Sequence, residues 1–504
     1  MIYHLNVNIG RQLTGIESAA IQRHKLLKEK YASKIVTIRY NTQLKETTRA
    51  YGLETDEYLN MYDYFQGATE VSESAPTILS EVFPQDTYTF KQVGDIDDYR
   101  VYRESLYIAY VHLNEAKGIQ YINYFDEKGK KKKRLLFDSR GFLSCESILD
   151  ENLKVASETY FSPKGQKRIE KKYPHDQSND AALIKVYEGK KPIVVEGEKA
   201  LITLFLDRLL TKEDVVISDK NVLVAEPLVK ASEVGKRIAI LHSKHYLGME
   251  PMKGRISGPY REVFENSDCF DKIVCSTEQQ RSDLIARFKD EKKFACIPVG
   301  IRRDVRKNRS KQQLDGPIRI GVVARYYEEK RLDHVIKAFK IIHSFLPNTE
   351  LHLYGFGDGR DKFKTERELI RLTKQLNLKE SVHFRGYLMD LDTEYKQMQV
   401  LLLTSRFEGF CLALLEGISY GIPAVSYDIN YGPNEMIDSG SSGYLISNGC
   451  ADELAKRVIQ LVENVDQYNA FAKRAFEKSK EFSKESVMNK WEKLLFTEGS
   501  RGDE

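Results

Sequence analysis

Strand, loop, helix and strand follow one another without a gap between Val400 and Asp428, and that order admits few folds. V-L-L-L-T-S (400–405) is a short apolar run of the kind buried on both faces of a parallel sheet. E-G-F-C-L-A-L-L-E (408–416) supplies a loop and a helical run, and G-I-P (421–423) turns the chain into the next strand, A-V-S-Y-D. Such a unit belongs to an open α/β sheet, which binds ligands at the carboxyl ends of its strands. Glu408 falls in that loop and Glu416 about two turns into the helix. Between them, the N–H groups near Phe410, Cys411 and Leu412 form a helix N-terminus able to hold an anion. Carboxylates on either side of an anion site match a diphosphate flanked by two polyhydroxylated groups, the layout of a nucleotide-sugar. The plainer alternative is an amphipathic helix with two incidental glutamates.

The same pattern recurs along the chain. I-Y-H-L-N-V opens it as a strand, the loop N-I-G-R-Q-L-T-G leads through Gly15 into a helical run, and K-I-V-T-I-R (34–39) is the next strand. After a break, α/β character returns with P-I-V-V-E-G near residue 193 and continues through D-V-V-I-S-D, R-I-A-I-L-H-S (237–243), D-K-I-V-C-S-T and F-A-C-I-P-V-G. A basic linker (302–316) precedes a second series: I-R-I-G-V-V-A-R, L-H-L-Y-G-F-G, S-V-H-F-R-G, then the two strands above. The expected fold class is therefore α/β, with two Rossmann-like domains facing a cleft. The first takes residues 1–40 and 201–310 and the second 317–482; a closing helix at 483–496, carrying Trp491, packs back on the first.

Residues 41–200 break the pattern. Turn signals recur about every dozen residues (F-D-E-K-G-K, F-D-S-R-G-F, L-D-E-N-L, F-S-P-K-G-Q), which predicts an inserted antiparallel β-meander domain. Its basic run includes Lys131, Lys132, Lys133 and Arg134, and a second cluster holds Lys164, Lys167, Arg168, Lys171 and Lys172. These form either an electrostatic footprint for an acidic acceptor or charged edges that keep hairpins soluble. The insert is expected to bind acceptor, to build a homo-oligomer, or both.

Composition narrows the class. With 504 residues, 41% hydrophobic and 30% charged, the chain reads as a soluble globular enzyme, and a net charge of +4 gives no general affinity for nucleic acid. No apolar run approaches the ~20 residues of a bilayer span, so membrane association is at most peripheral. The start reads as a first strand rather than a signal peptide. Six cysteines without metal-ligand spacing suggest buried free thiols in a cytoplasmic protein.

Two cations, Arg325 and Lys330 (A-R-Y-Y-E-E-K), follow the first strand of the second series and would stabilise a departing diphosphate. His242 ends a strand of the first series; a lone histidine there is either structural or placed across the cleft from the anion site. Gly355, Gly357 and Gly359 resemble part of a dinucleotide fingerprint, but no ribose-binding acid follows the next strand, so they read as a turn. Asp95/Asp97 and Asp390/Asp392 spell Asp-x-Asp without further ligands nearby, so neither a metal nor another cofactor is expected.

A-R-Y-Y-E-E-K, E-G-F-C-L-A-L-L-E and the Gly10–Gly15 loop together resemble the retaining GT-B glycosyltransferases of the glycogen-synthase-like fourth family. S-Y-D-I-N-Y-G-P-N-E (426–435) and the insert bring the likeness nearer to Gram-positive enzymes that glycosylate serine-rich adhesins or wall teichoic acid. N-M-Y-D-Y-F-Q-G-A-T (60–69), R-G-F-L-S-C (140–145) and S-T-E-Q-Q (276–280) resemble most the staphylococcal transferases acting on serine–aspartate-repeat adhesins. The resemblance implies UDP-N-acetylglucosamine as donor and serines of acidic Ser-Asp repeats as acceptor, with retention of anomeric configuration. UDP-glucose, or a poly(ribitol- or glycerol-phosphate) acceptor, is the alternative, and a non-catalytic partner of another transferase is a reading from a different class. It further implies that Glu408 contacts the donor sugar, Glu416 the ribose, Arg325 and Lys330 the diphosphate, and main chain near Tyr387 the uracil. His242 would lie beside the transferred sugar. Cys411 departs from the small or polar residue often found at its position.

Overall fold

The computed structural model describes residues 1–71, 75–174, 181–301 and 316–496, so the linker expected at 302–316 lies, except for Gly316, outside the described residues. Two compact units form. The first takes Met1–Leu13, Lys30–Ala239 and Glu262–Asp271; the second takes Thr14–Glu29, Ile240–Arg261 and the chain from Lys272 onward.

A six-stranded sheet organises the second unit, in the order Val382–Gly386, Thr349–Tyr354, Ile318–Val323, Val400–Leu403, Ala424–Tyr427, Gly443–Ile446. Every neighbouring pair is parallel. The chain winds outward from Ile318–Val323, then returns to its other side at Val400–Leu403. The crevice between those two strand ends is the switch point at which such sheets bind ligands. The apolar run at 400–403 is explained by its two faces. Val400 and Leu402 enter a core with Val335, Ile336, Phe339 and Val458. Leu401 and Leu403 enter another with Leu414, Leu415 and Ile418. Burying each such side chain contributes ~1.5–3 kcal/mol. The helix Lys484–Phe496 rests on Gly15–Leu27, with the Arg23 guanidinium 5.5 Å from the Trp491 ring.

In the first unit a parallel sheet runs Lys236–Leu241, Val215–Ser218, Ile2–Asn6, Ser33–Thr37, Tyr58–Asn60. A ten-stranded antiparallel sheet follows strict sequence order from Thr89–Gln92 to Ile193–Val195. Two segments differ from expectation. Tyr58–Asn60, within the stretch read as insert, pairs in parallel with Ser33–Thr37. Ile193–Val195, read as a parallel strand, pairs antiparallel with Leu183–Val186. Three-residue strands carry too few side chains for a period to distinguish the two.

The dozen-residue spacing of the meander has a local cause. Gly129, Gly141, Leu153 and Gly165, twelve residues apart, all have positive φ (74°, 95°, 62° and 76°). Three residues before each, the side-chain oxygen of Asp126, Asp138, Asp150 or Ser162 accepts the N–H two residues ahead. That turn alternates with seven-residue strands at Lys131–Phe137, Leu143–Leu149 and Val155–Phe161.

N-M-Y-D-Y-F-Q-G-A-T and R-G-F-L-S-C meet and form a structural seam. The buried Arg140 donates to Asp63, Asp138 and the Ala68 carbonyl, each at 2.6 Å, and Gln66 donates to the Ser144 carbonyl at 3.0 Å. Lys171, expected in a surface cluster, is instead 2% exposed, donating to the Tyr62 hydroxyl at 2.6 Å and to Glu198. A buried ammonium must be partnered. Only two of the cysteines, Cys145 and Cys275, are fully buried; Cys269 and Cys450 are exposed. Among the described residues no helix is long and apolar enough to cross a membrane.

Candidate active site

The switch point of the second unit's sheet is built by two loops. After Ile318–Val323 the chain passes Arg325 and Tyr327 into a short turn, Glu328–Lys330; after Val400–Leu403 it passes Ser405 and Glu408 to the helix Leu412–Ser419. The Lys330 ammonium lies 2.6 Å from a Glu408 carboxylate oxygen, with side chains 15% and 12% exposed. Ser405 donates to the same oxygen at 2.6 Å. Burial pulls the Lys330 pKa down, but the Glu408 carboxylate opposes it and the pKa is left raised, so the group is a fixed cation. Burial first, and Glu408 second, push the Cys411 thiol far above its ordinary range, so that side chain is neutral.

Arg331, which sequence reasoning passed over, staples the loop. From a left-handed backbone (φ 49°) its guanidinium donates to the carbonyls of Thr404 and Ser405, both at 2.8 Å. Cys411, at φ 75°, turns the chain into the helix, which starts at Leu412. Glu416 is therefore one turn into the helix rather than two. Its carboxylate accepts the buried Tyr395 hydroxyl at 3.0 Å.

His242 is brought against this loop through a glycine. A β-carbon on Gly409 would stand 2.1 Å from the His242 carbonyl oxygen and 2.8 Å from the Ser243 Cα, so no other residue fits without displacing that backbone. The motifs 276–280 and 428–435 fix the approach. Gln279 donates from its backbone to Glu435 and from its side chain to Asn430, both at 2.9 Å, while Gln280 donates to the Ser243 carbonyl at 2.9 Å. The 430–431 segment in turn pairs with Glu408: its N–H reaches the Asn430 carbonyl and its carbonyl the Tyr431 N–H, each at 3.1 Å. Tyr431 donates to Asp283 at 2.7 Å. Beside it the buried His245 has a pKa lowered to about 4, by burial and then by Arg287. Nothing in a bare E-G-F triplet marks Gly409; only the chain folded against it does.

The remaining candidates have the following surroundings. Arg325 reaches Glu329 at 3.4 Å and sits 4.1 Å over the Tyr327 ring; with Arg331, Arg360 and Arg406 it lines an open cavity of about 970 Å³. Tyr387 makes an edge contact with Phe356, 5.6 Å between centroids, after Gly386, whose carbonyl accepts the Gly355 N–H. Gly15 opens the helix Gly15–Leu27 behind the Thr14–Glu17 capping box, with open space where a β-carbon would stand. Asp390 accepts the Asp392 N–H at 3.0 Å at a helix start, and Asp97 pairs with Lys117. In the first unit the basic run does not form a single bare patch. Lys132 pairs with Asp126 at 3.6 Å, Lys133 with Glu146 at 3.2 Å, and Arg134 stacks 4.3 Å over Tyr121; Lys131 opens the same strand.

Among the described residues, Glu350, His352 and His383 approach one another within 4.8 Å. Glu350 meets one ring nitrogen of His352 at 2.9 Å and Arg385 donates to the other at 3.1 Å. With both nitrogens engaged and a guanidinium alongside, the cluster is poorly suited to a cation.

Residues 304–478 match the family model for glycosyl transferases, group 1. The chain is 26% identical over 399 residues to a poly(glycerol-phosphate) α-glucosyltransferase of Bacillus subtilis, covering 76% of this chain but only 57% of that enzyme. It is 22% identical to a poly(ribitol-phosphate) α-N-acetylglucosaminyltransferase of Staphylococcus aureus, over 98% of each chain. A UDP-N-acetylglucosamine–peptide N-acetylglucosaminyltransferase GtfA subunit of Streptococcus parasanguinis is 24% identical over 98% of this chain and 97% of its own. The crystal structure of the pneumococcal O-GlcNAc transferase GtfA with UDP and GlcNAc superposes with a TM-score of 0.83, at 20% identity, over 98% of both chains. The family match thus spans the sheet that carries Glu408, and over its full length the chain is similar in sequence to glycosyltransferases and shares their GT-B fold.

Proposed function

We propose that the protein transfers N-acetylglucosamine from UDP-N-acetylglucosamine to serine hydroxyls of acidic Ser-Asp-repeat adhesins in the cytoplasm, with retention at the anomeric carbon. The Lys330–Glu408 pair at the switch point carries the donor half of this reading, because it sets a fixed cation and a carboxylate in the loop that leads into a helix whose N-terminus has no side-chain cap among the described residues. Lys330, Arg325 and the N–H groups of Cys411 and Leu412 receive the diphosphate. Glu408 accepts hydrogen bonds from the sugar, Glu416 from the ribose, and main chain at Tyr387 and Gly15 completes the donor pocket, with His242 beside the transferred sugar. The bond from the anomeric carbon to the diphosphate oxygen breaks as the bond to serine Oγ forms, and the serine proton passes to the departing phosphate. Glu408, already held by Lys330 and Ser405, suits charge and hydroxyl binding better than a free nucleophile's role. No metal is required, since the cations supply the charge.

The peptide acceptor is supported by the relatives named for peptide transfer. The insert is read as an acceptor-binding or self-association surface. The second reading, transfer to a polyol-phosphate with glucose or N-acetylglucosamine, is favoured by the relatives that carry those names. Incubation in EDTA with each UDP-sugar and either a Ser-Asp-repeat polypeptide or poly(ribitol-phosphate) separates them. One N-acetylhexosamine per modified serine is the expected mass change; labelling of the polyol alone would transfer the assignment to it. Loss of activity in EDTA, restored by Mn²⁺, would overturn the metal-free mechanism.

A further inference from the structure

Two residues beyond His242, Lys244 occupies an unusual place. Its ammonium lies 4.6 Å from the centroid of Phe407, the residue before Glu408, and 5.1 Å from that of Tyr246. One donor reaches the Gly248 carbonyl at 2.8 Å. No carboxylate of the described residues lies within 4.0 Å of it, whereas Lys330 has Glu408 at 2.6 Å. Burial between the rings lowers the Lys244 pKa, with no charged neighbour opposing it. The side chain is nevertheless only half-buried, and an ammonium with one hydrogen bond made has further N–H donors to offer a ligand.

The segment that carries it is held in place. Ser257 donates to the His245 carbonyl at 2.9 Å, Leu247 to the Arg255 carbonyl at 2.8 Å, and Asn430 to the Tyr246 hydroxyl at 3.2 Å. A cation fixed by two aromatic faces and one carbonyl, beside the sugar-binding loop and without its own acid, lacks one anionic partner.

We infer that Lys244 is a specificity-determining residue that receives the carboxylate of the aspartate next to the target serine. This rests on the peptide-acceptor reading above. The geometry favours a carboxylate from the acceptor over the donor's phosphates because Lys330 and the helix start already answer those. A neighbouring Asp on the acceptor then holds its serine at the sugar, and the enzyme prefers Ser-Asp over an otherwise equal Ser-Asn chain.

The test compares Ser-Asp and Ser-Asn repeat peptides of equal length with wild type, Lys244→Met and Lys244→Arg. Met keeps the apolar stem between the rings; Arg keeps the charge. Wild type should show a KM about tenfold lower for Ser-Asp than for Ser-Asn, the scale of one charge-assisted hydrogen bond at a half-exposed position. Lys244→Met should erase that ratio while its kcat and its KM for UDP-N-acetylglucosamine stay within about twofold of wild type, and Lys244→Arg should restore most of the ratio. An unchanged Asp-to-Asn ratio in Lys244→Met, or an equal loss on both peptides, would overturn the inference and leave Lys244 as scaffolding. Wild type that transfers to neither peptide, yet hydrolyses the donor, would overturn the peptide-acceptor reading itself, and this assignment with it.

Discussion

Replacing Gly409 by alanine tests how the His242 segment and the Glu408 loop depend on each other. The new methyl would begin 2.1 Å from the His242 carbonyl oxygen and 2.4 Å from its carbon, against backbone rather than a flexible side chain. Relief to ordinary contact needs a retreat of roughly 1.3 Å by one segment or the other. His242 follows directly on the buried strand residue Leu241, and Gln280 ties the Ser243 carbonyl, so the displacement falls on the loop that holds Glu408. Overpacking of this size costs ~1–3 kcal/mol of stability, which a large α/β enzyme tolerates. A misplacement of about 1 Å between reacting groups, by contrast, costs on the order of 100-fold in rate. The expected result is kcat for sugar transfer down roughly 100-fold, UDP affinity by calorimetry changed far less, and circular dichroism unaltered. A folded Gly409→Ala enzyme within twofold of wild-type kcat would show that the close approach of His242 has no part in catalysis.

Glu408→Ala and Lys330→Ala should each lower turnover at least ~100-fold, the scale of a lost electrostatic contact to the transition state; wild-type rates in either would show that the donor binds elsewhere. Leu153 occupies the turn position that glycine holds in the three sister hairpins, with φ 62° and 53% exposure. Leu153→Gly should therefore raise stability by ~0.5–1 kcal/mol, read as a shift in the urea midpoint, and a lower midpoint would contradict the turn assignment. His245, whose pKa falls from 6.5 unfolded to about 4 folded, stabilises the neutral form. Its contribution is complete above pH 6.5 and is lost as pH falls towards 4, by up to ~3 kcal/mol. Unfolding free energies measured across that window should flatten in His245→Gln; parallel curves for both proteins would assign the acid lability to other groups.

The primary sequence determined the elements that repeat. Apolar runs such as 400–403 specify strands buried on both faces, because alternate residues must each find a core, and both were built. The meander was legible for a different reason: each turn, an Asp or Ser followed three residues on by a Gly or, once, Leu153, is a local hydrogen-bonded unit that needs no distant partner. Glu408 and Lys330 could be nominated because each follows a recognisable strand, and strand ends of open sheets converge at the switch point. Local patterns could not carry Tyr58–Asn60 or Ile193–Val195, where three residues leave the direction of pairing undetermined.

Contacts between residues far apart in the chain were decided only by the tertiary structure. Gly409 is essential in space because His242 passes 167 positions away in sequence, and no spacing rule connects the two. Basic residues counted along the chain looked alike. Folding sent Lys171 into a buried pocket with Tyr62 and Glu198, paired Lys132 and Lys133 with acids, and left Lys244 between two rings without an acid of its own. Charge is written in the sequence, but desolvation and partner geometry, which determine what each charge can do, exist only once the chain has closed around it.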